Sequence, residues 1–265
     1  MSDLNTHLVA VARSLVLSND ELDKIHVSIT NLQTKIDGWF EGELISHFQF
    51  GSSTRGTILP RRVDENSDID YMVVFRNPEN FKPSTLLEKL KRFVEAKYAR
   101  SEIHQSHPTI VLELTHIKFE LVPAIQPYSL TGIYHIPAPS SQFMEWMQTT
   151  PIELKNMIAE ADNRYHYQIR RLIRLLKYWN VMNGKVYSSF EIEEYIGSFV
   201  FFNCTFLEDY FFQAVEFLPT AHLPHYKLNK VQRLKDTVQT IQTNYYQRGF
   251  KNWALSDLSA LLPLI

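Results

Sequence analysis

The chain holds a single cysteine, Cys204, among 265 residues. One thiol makes no intramolecular disulfide and no cysteine-based zinc cluster, and its place in an aromatic run predicts a buried side chain. An excess of one charge sign is also missing: 27 basic residues face 29 acidic ones, a formal net charge of −2. A chain that coats duplex nucleic acid needs surplus lysine and arginine to neutralise phosphates, so extended duplex binding is not expected. No apolar run approaches the ~20 residues that span a bilayer, and no apolar signal-peptide core follows Met1. These absences predict a cytoplasmic protein with no membrane partner. The ten histidines show no metal-ligand spacing and are assigned no metal, and neither an internal repeat nor a low-complexity segment is seen. What remains is a chain 45% hydrophobic, long enough to bury a core in one large domain or two packed lobes.

The stretch Phe50 to Phe75, F-G-S-S-T-R-G-T-I-L-P-R-R-V-D-E-N-S-D-I-D-Y-M-V-V-F, organises the rest. Gly51-Ser52-Ser53 follows the apolar-alternating run His47 to Phe50, where a strand would end and a helix start. Such a turn presents backbone N–H groups beside the positive end of a helix, and the Ser52 and Ser53 hydroxyls add donors for phosphate oxygens. Arg55 and Thr57 are placed to extend these contacts. Asp68-Ile69-Asp70 then opens the apolar run Tyr71 to Phe75, a predicted strand. Residues two apart on a strand share a face, so Asp68 and Asp70 project together while Ile69 turns to the core. Adjacent carboxylates repel unless a cation lies between them, and their hard oxygens favour Mg²⁺ or Mn²⁺. Each part alone is common; strand, Gly-Ser, helix-compatible segment and acid-x-acid strand in that order is not.

A third carboxylate comes from a predicted hairpin between Thr109 and Val122, turning near Thr115-His116. Ile117, Phe119 and Leu121 alternate with Lys118, Glu120 and Val122, so Glu120 faces away from the apolar side, where it could join Asp68 and Asp70. Glu113 on the same hairpin competes for that role.

Gly51-Ser52 followed by Asp68-x-Asp70 resembles the motif of the DNA polymerase β-type nucleotidyltransferase superfamily. The longer form Gly51-Ser52-x-x-Arg55-Gly56-Thr57 is similar to the cGAS/DncV-like nucleotidyltransferases and their oligoadenylate synthase relatives. Two departures stand out. The gap from Ser52 to Asp68 is longer than usual, which predicts an enlarged loop over Arg61 to Ser67. Phe119-Glu120-Leu121-Val122-Pro123-Ala124 looks like the family's third-carboxylate strand but carries Glu where Asp is usual; Glu is one methylene longer and can still bind a metal.

Helices are predicted over Leu4 to Leu17, from the capping box Ser18-x-x-Glu21 to about Trp39, and over Leu86 to Tyr98 behind Thr85-x-x-Glu88. After a proline-rich passage at Ile136 to Pro139 the pattern is helical, opening on Thr150-Pro151-Ile152-Glu153. Ile169, Leu172, Ile173 and Leu176 line one helical face, and Arg170, Arg174 and Lys177 recur on another. That cationic stripe reads either as a triphosphate contact or as a solvated face. The run Arg171 to Asn180 resembles the helix in which the family places a phosphate-contacting lysine, matched by Lys177. Tyr187-Ser188-Ser189-Phe190-Glu191 resembles the serine-bearing start of the next helix, and it is also a plain capping box. The aromatic stretch Phe199 to Phe217 reads as core, and helices of about Lys227 to Gln247 and Trp253 to Leu262 complete the chain.

The expected fold is α/β of the α+β kind: a polymerase β-like core with a small mixed sheet over residues 1–135 and a helical lobe over 136–265 that closes on the nucleotide. The resemblance implies attack of a nucleotide hydroxyl on the α-phosphate of a nucleoside triphosphate, with two Mg²⁺ or Mn²⁺ ions held by Asp68, Asp70 and Glu120. Gly51, Ser52, Ser53, Arg55, Thr57, Lys177, Ser188 and Ser189 would contact the nucleotide. It further implies a cyclic or short linear oligonucleotide signal, in bacteria mostly for anti-phage defence, read by a downstream effector protein. Three rivals stay open: a linear oligonucleotide polymerase, a tRNA-modifying or small-molecule nucleotidyltransferase, and a catalytically silent nucleotide-binding module.

Overall fold

The computed structural model describes residues 2–77, 79–106, 108–127, 132–138 and 145–265. The chain divides into two compact units: Leu17–Arg61 with Glu65–Lys155, and residues up to Val16 with Arg62–Asp64 and Asn156–Ile265.

The first unit is built on a mixed sheet. Its strands are β1 (Leu44–Phe50), β2 (Asp68–Phe75), β3 (Glu102–Ser106), β4 (Thr109–Glu113), β5 (Lys118–Ile125), β6 (Tyr134–Pro137) and β7 (Trp146–Thr149). The order is β1-β2-β5-β4-β3, with β6 pairing β5 and β7 pairing β6. Among the described residues only the central β2/β5 pair is parallel; the other pairings are antiparallel. A parallel pair needs a crossover, here the chain through α4 (Pro83–Lys97) and the β3–β4 hairpin. The β4–β5 hairpin forms where predicted, with Leu114 N–H donating to Ile117 O at its turn.

One face of the sheet carries the main core. Ile69, Tyr71, Val73, Phe119 and Leu121 pack against Leu32 and Ile36 of α2 (Asn19–Trp39) and Leu86, Leu90 and Phe93 of α4. Each such buried side chain contributes about 1.5–3 kcal/mol. Alternation then turns Asp68, Asp70 and Glu120 to the other face, beside a smaller cluster of Met72, Val74, Ala124 and Tyr134. The Ser18/Glu21 capping box forms at α2 as expected. Helix α4, by contrast, starts earlier than the Thr85 signal predicts. Lys82 is its N-cap and Pro83 its first residue, because proline's fixed φ suits a first turn, and Glu88 pairs with Arg92 at 3.0 Å instead of capping.

The passage at Ile136 was expected to open the helical lobe, and position 136 lies within the sheet unit. Ile136 sits in β6, paired with Met147 of β7, and Pro139 lies outside the described residues. The second unit gathers α1 (Asp3–Ser14), α6 (Ile169–Met182), α7 (Ser189–Ser198), α8 (Leu207–Glu216), α9 (His225–Gln242), a π-helical turn Thr243–Gln247 and α10 (Lys251–Leu261), with most of α5 (Pro151–Arg164). Helix α1 joins it because Leu4, Leu8, Val11 and Ala12 are buried on a face that meets α6, α8 and α10. The aromatic stretch is only partly core: Phe201, Tyr210 and Phe211 are buried, whereas Phe202, Phe206 and Phe217 are exposed. Cys204, predicted buried, is half-buried, with Sγ donating to Phe202 O. No helix among the described residues is long and apolar enough to cross a membrane.

Candidate active site

The site grows from the end of β1. Gly51 opens the short helix α3 (Gly51–Arg55) at φ +76°, and Gly56 closes it at φ +70°. Left-handed backbone favours glycine at both places. At Gly51 a second constraint is harder: a Cβ there would lie 1.7 Å from Asp70 Oδ2. The turn and the second acid of the motif are therefore packed on each other.

Several side chains expected to meet phosphate also brace this turn. Thr57 is fully buried, and its N–H and hydroxyl donate to Ser52 O at 3.0 and 3.3 Å. Ser53 Oγ accepts from Gln49 Nε2 at 2.7 Å and donates to Phe50 O at 3.3 Å. Arg55 is buried at 9% exposure. Ser52 is half-buried in the first turn of α3, where N–H groups lack helical acceptors.

Asp68 and Asp70 share a face of β2, and Ile69 between them is buried. Across the parallel pair Asp70 is in register with Glu120 and Asp68 with Lys118. Phe119 is fully buried, so Lys118 and Glu120 rise on the acids' face, as the alternation predicts for Glu120. Lys118 is the residue that sequence reading missed, although its place two before Glu120 fixes its face. Its Nζ lies 3.4 Å from Asp68 Oδ2 and 3.3 Å from Glu120 Oε1. The competing candidate Glu113 is engaged elsewhere, accepting from Arg61 Nη2 at 2.6 Å.

Burial, followed by the negative charge of Glu120, raises the Asp68 pKa to about 6 against the opposing pull of Lys118. Burial alone would lower the Lys118 pKa, but Asp68 and Glu120 outweigh it and raise it. These groups fit a divalent cation in donor chemistry: hard carboxylate oxygens in a partly desolvated place whose mutual repulsion a cation relieves. As they stand, no three Asp, Glu, His or Cys side chains among the described residues enclose a metal position. The Lys118 ammonium lies between two of the acids, and the third rests on Gly51.

The raised pKa sets a pH dependence. The folded protein holds the Asp68 proton up to about pH 6, whereas an unfolded chain releases it near the ordinary value of about 3.9. The folded state thus binds more protons in that window, so stability falls as pH rises through it. Asp68→Asn should remove this dependence: melting temperatures at pH 5 and pH 7 should differ less in the variant than in the wild type, by differential scanning fluorimetry without added metal.

The helical unit holds the remaining expected contacts. Ser188 is exposed as the N-cap of α7, its Oγ accepting from Glu191 N–H at 3.1 Å, and Ser189 is exposed beside it. The expected cationic stripe is partly buried and engaged within the helical unit, with Arg170 keeping 36% of its side chain exposed. Arg170 Nη1 pairs with Asp162 Oδ2 at 2.6 Å, and burial pushes the Arg174 pKa down to about 10. Lys177, 4% exposed, donates to Glu193 Oε1 at 2.6 Å, with Glu193 fully buried.

Comparison with known proteins bears on the family and the fold. The model of the second messenger oligonucleotide or dinucleotide synthetase (SMODS) domain matches residues 1–162. A probable cyclic nucleotide synthase of Bacillus cereus is 30% identical over 118 residues, 42% of this chain and 35% of the relative. That match spans about a third of the relative's length. Among solved structures, the CD-NTase CdnG of Bradyrhizobium diazoefficiens in complex with GTP superposes with a TM-score of 0.73 at 11% identity, covering 98% of each chain. Escherichia coli MS115-1 CdnC with ATP gives 0.70 at 14% identity, covering 96% of each.

Proposed function

The chain belongs to the family of second messenger oligonucleotide or dinucleotide synthetase domains, and from that premise we propose that it is a metal-dependent, template-independent nucleotidyltransferase. It joins nucleoside triphosphates into a cyclic or short linear oligonucleotide and releases pyrophosphate. The observation that carries this reading is the placement of Asp68, Asp70 and Glu120 on one face of the in-register β2/β5 pair, with Asp70 packed on Gly51.

In this reading the first turn of α3 and the Ser52 hydroxyl hold phosphate oxygens, which Gly51 permits by letting backbone and carboxylate approach closely. A substrate hydroxyl oxygen bonds to the α-phosphorus as the bond to the β-phosphate oxygen breaks and pyrophosphate leaves. Asp68, Asp70 and Glu120 would hold Mg²⁺ or Mn²⁺, whose chemistry there is to lower the hydroxyl's pKa and neutralise the leaving group. The product serves as a second messenger sensed by an effector protein, on the family's precedent in anti-phage defence.

The test is incubation with all ribo- and deoxyribonucleoside triphosphates and Mg²⁺, read by pyrophosphate release and mass spectrometry. The expected result is an oligonucleotide product that is lost in Asp68→Ala/Asp70→Ala. One observation favours a second reading, a silent nucleotide-binding module: Lys118 already spans Asp68 and Glu120. Triphosphate binding without pyrophosphate release from any substrate would decide for it.

A further inference from the structure

We propose that the segment Tyr246 to Trp253 of the helical unit is a docking platform for single-stranded nucleic acid, a short oligonucleotide whose bases stack on its rings and whose phosphates meet its cations. The inference goes beyond the nucleotidyltransferase reading and stands or falls without it.

The sequence alternates the two chemistries that such a strand requires. Tyr246-Gln247-Arg248-Gly249-Phe250-Lys251-Asn252-Trp253 interleaves three aromatic rings with two cations, and all eight residues are exposed. Tyr246, Phe250 and Trp253 show 56, 46 and 67% of their surface. Aromatic surface left open in a cluster marks a place of interaction.

The backbone holds these side chains in one arrangement. Thr243–Gln247 is the π-helical turn, a form that recurs at functional sites. Arg248 N–H donates to Thr243 O at 3.1 Å and Phe250 N–H to Asn244 O at 2.8 Å, on either side of Gly249 at φ +72°. The buried Glu208 accepts from the Tyr246 hydroxyl and from Ser2 Oγ, which anchors the Tyr246 ring. Phe250 and Trp253 stand 5.0 Å apart, and Gly249 to Trp253 line an open cavity of about 260 Å³.

Charge selects the occupant. No Asp or Glu stands between Asp236 and Asp257, in a chain whose acids outnumber its bases. The acids that approach Tyr246 are engaged within the unit: Glu208 as above, and Asp209 on the N–H groups of Thr205 and Phe206. Lys251 Nζ lies 5.3 Å over the Tyr245 ring, beside the exposed Arg248. A protein partner would require a contiguous apolar centre, and here Gln247, Arg248, Lys251 and Asn252 divide the rings. A mononucleotide would use one ring and one cation; the repeat of both fits successive nucleotides. Stacking of this kind tolerates any base, since every base has a π-face.

The test is fluorescence anisotropy of labelled single-stranded octamers, one of uridine and one of adenosine, titrated with the full chain in EDTA. Both should bind, and log K should fall with log salt at a slope of about −1.4, as two phosphate contacts on a single strand give. Trp253→Ala and Phe250→Ala should each weaken binding by about tenfold. Arg248→Gln with Lys251→Gln should flatten the salt slope, and AMP and a duplex of the same length should bind more weakly than either octamer. No octamer binding, or binding that the ring and charge variants leave unchanged, would overturn the platform. So would equal binding of AMP or duplex, or loss of octamer binding in Asp68→Ala/Asp70→Ala, which would put the strand at the acids. A dimer in sedimentation equilibrium that Trp253→Ala dissolves would assign the rings to a second copy instead. None of these outcomes bears on pyrophosphate release, which tests the nucleotidyltransferase reading separately.

Discussion

Gly51→Ala should cut pyrophosphate release by about 100-fold or more while costing only about 1–2 kcal/mol of stability. Two effects coincide at this residue and can be separated. The left-handed backbone, φ +76°, charges any alanine a strain penalty. The added methyl would also sit 1.7 Å from Asp70 Oδ2, so the carboxylate or the turn must move by more than an ångström. Misplacement on that scale in a site that positions reacting groups costs about two orders of magnitude in rate. Gly42 supplies the control: its φ is +79°, and a Cβ there meets nothing within 4 Å. Gly42→Ala should therefore lose comparable stability and no activity. Equal activity losses in the two variants, or full activity in Gly51→Ala, would mean that Asp70 and the turn do not act as one unit.

The shared face of the three acids was legible for a local reason. Strand alternation is a local rule, so Asp68, Asp70 and Glu120 could be assigned to one face from sequence, and burial of Ile69 and Phe119 agrees. Helix α2 announced itself through the Ser18/Glu21 box because a cap is a contact three residues long. Long-range partners were not legible. Nothing local says that Arg61 reaches Glu113 across 52 positions of chain, and without that pair the destination of Lys118 stays open. Cross-strand register, Asp68 with Lys118, is likewise a property of the folded sheet. The cationic stripe of α6 was read as exposed or ligand-facing because periodicity reports which residues share a face and is silent on what covers it. Here Asp162 pairs with Arg170 and Glu193 with the buried Lys177.

That covering yields the second large effect, on stability. Glu193→Ala should destabilise the protein by about 3–5 kcal/mol, because it removes the carboxylate that balances the Lys177 ammonium in a place from which water is excluded. The two side chains are 5% and 0% exposed, and their 2.6 Å bond joins α6 to α7 inside the helical unit. At about 2–4 °C per kcal/mol for a chain of this size class, the melting temperature should fall by roughly 10 °C. Lys177→Met in the same chain as Glu193→Leu should recover most of the loss, since replacing both members of a buried pair with apolar groups of similar volume is often neutral. The pair of measurements also bears on the phosphate contact that resemblance assigns to Lys177. A lysine whose main work is the ion pair gives Lys177→Met a large drop in melting temperature and leaves the KM for nucleoside triphosphate unchanged in the double variant. A lysine that also meets the triphosphate shows itself in the KM of the double variant, which rises about tenfold or more, the loss of one charge-assisted bond of about 1.5–3 kcal/mol.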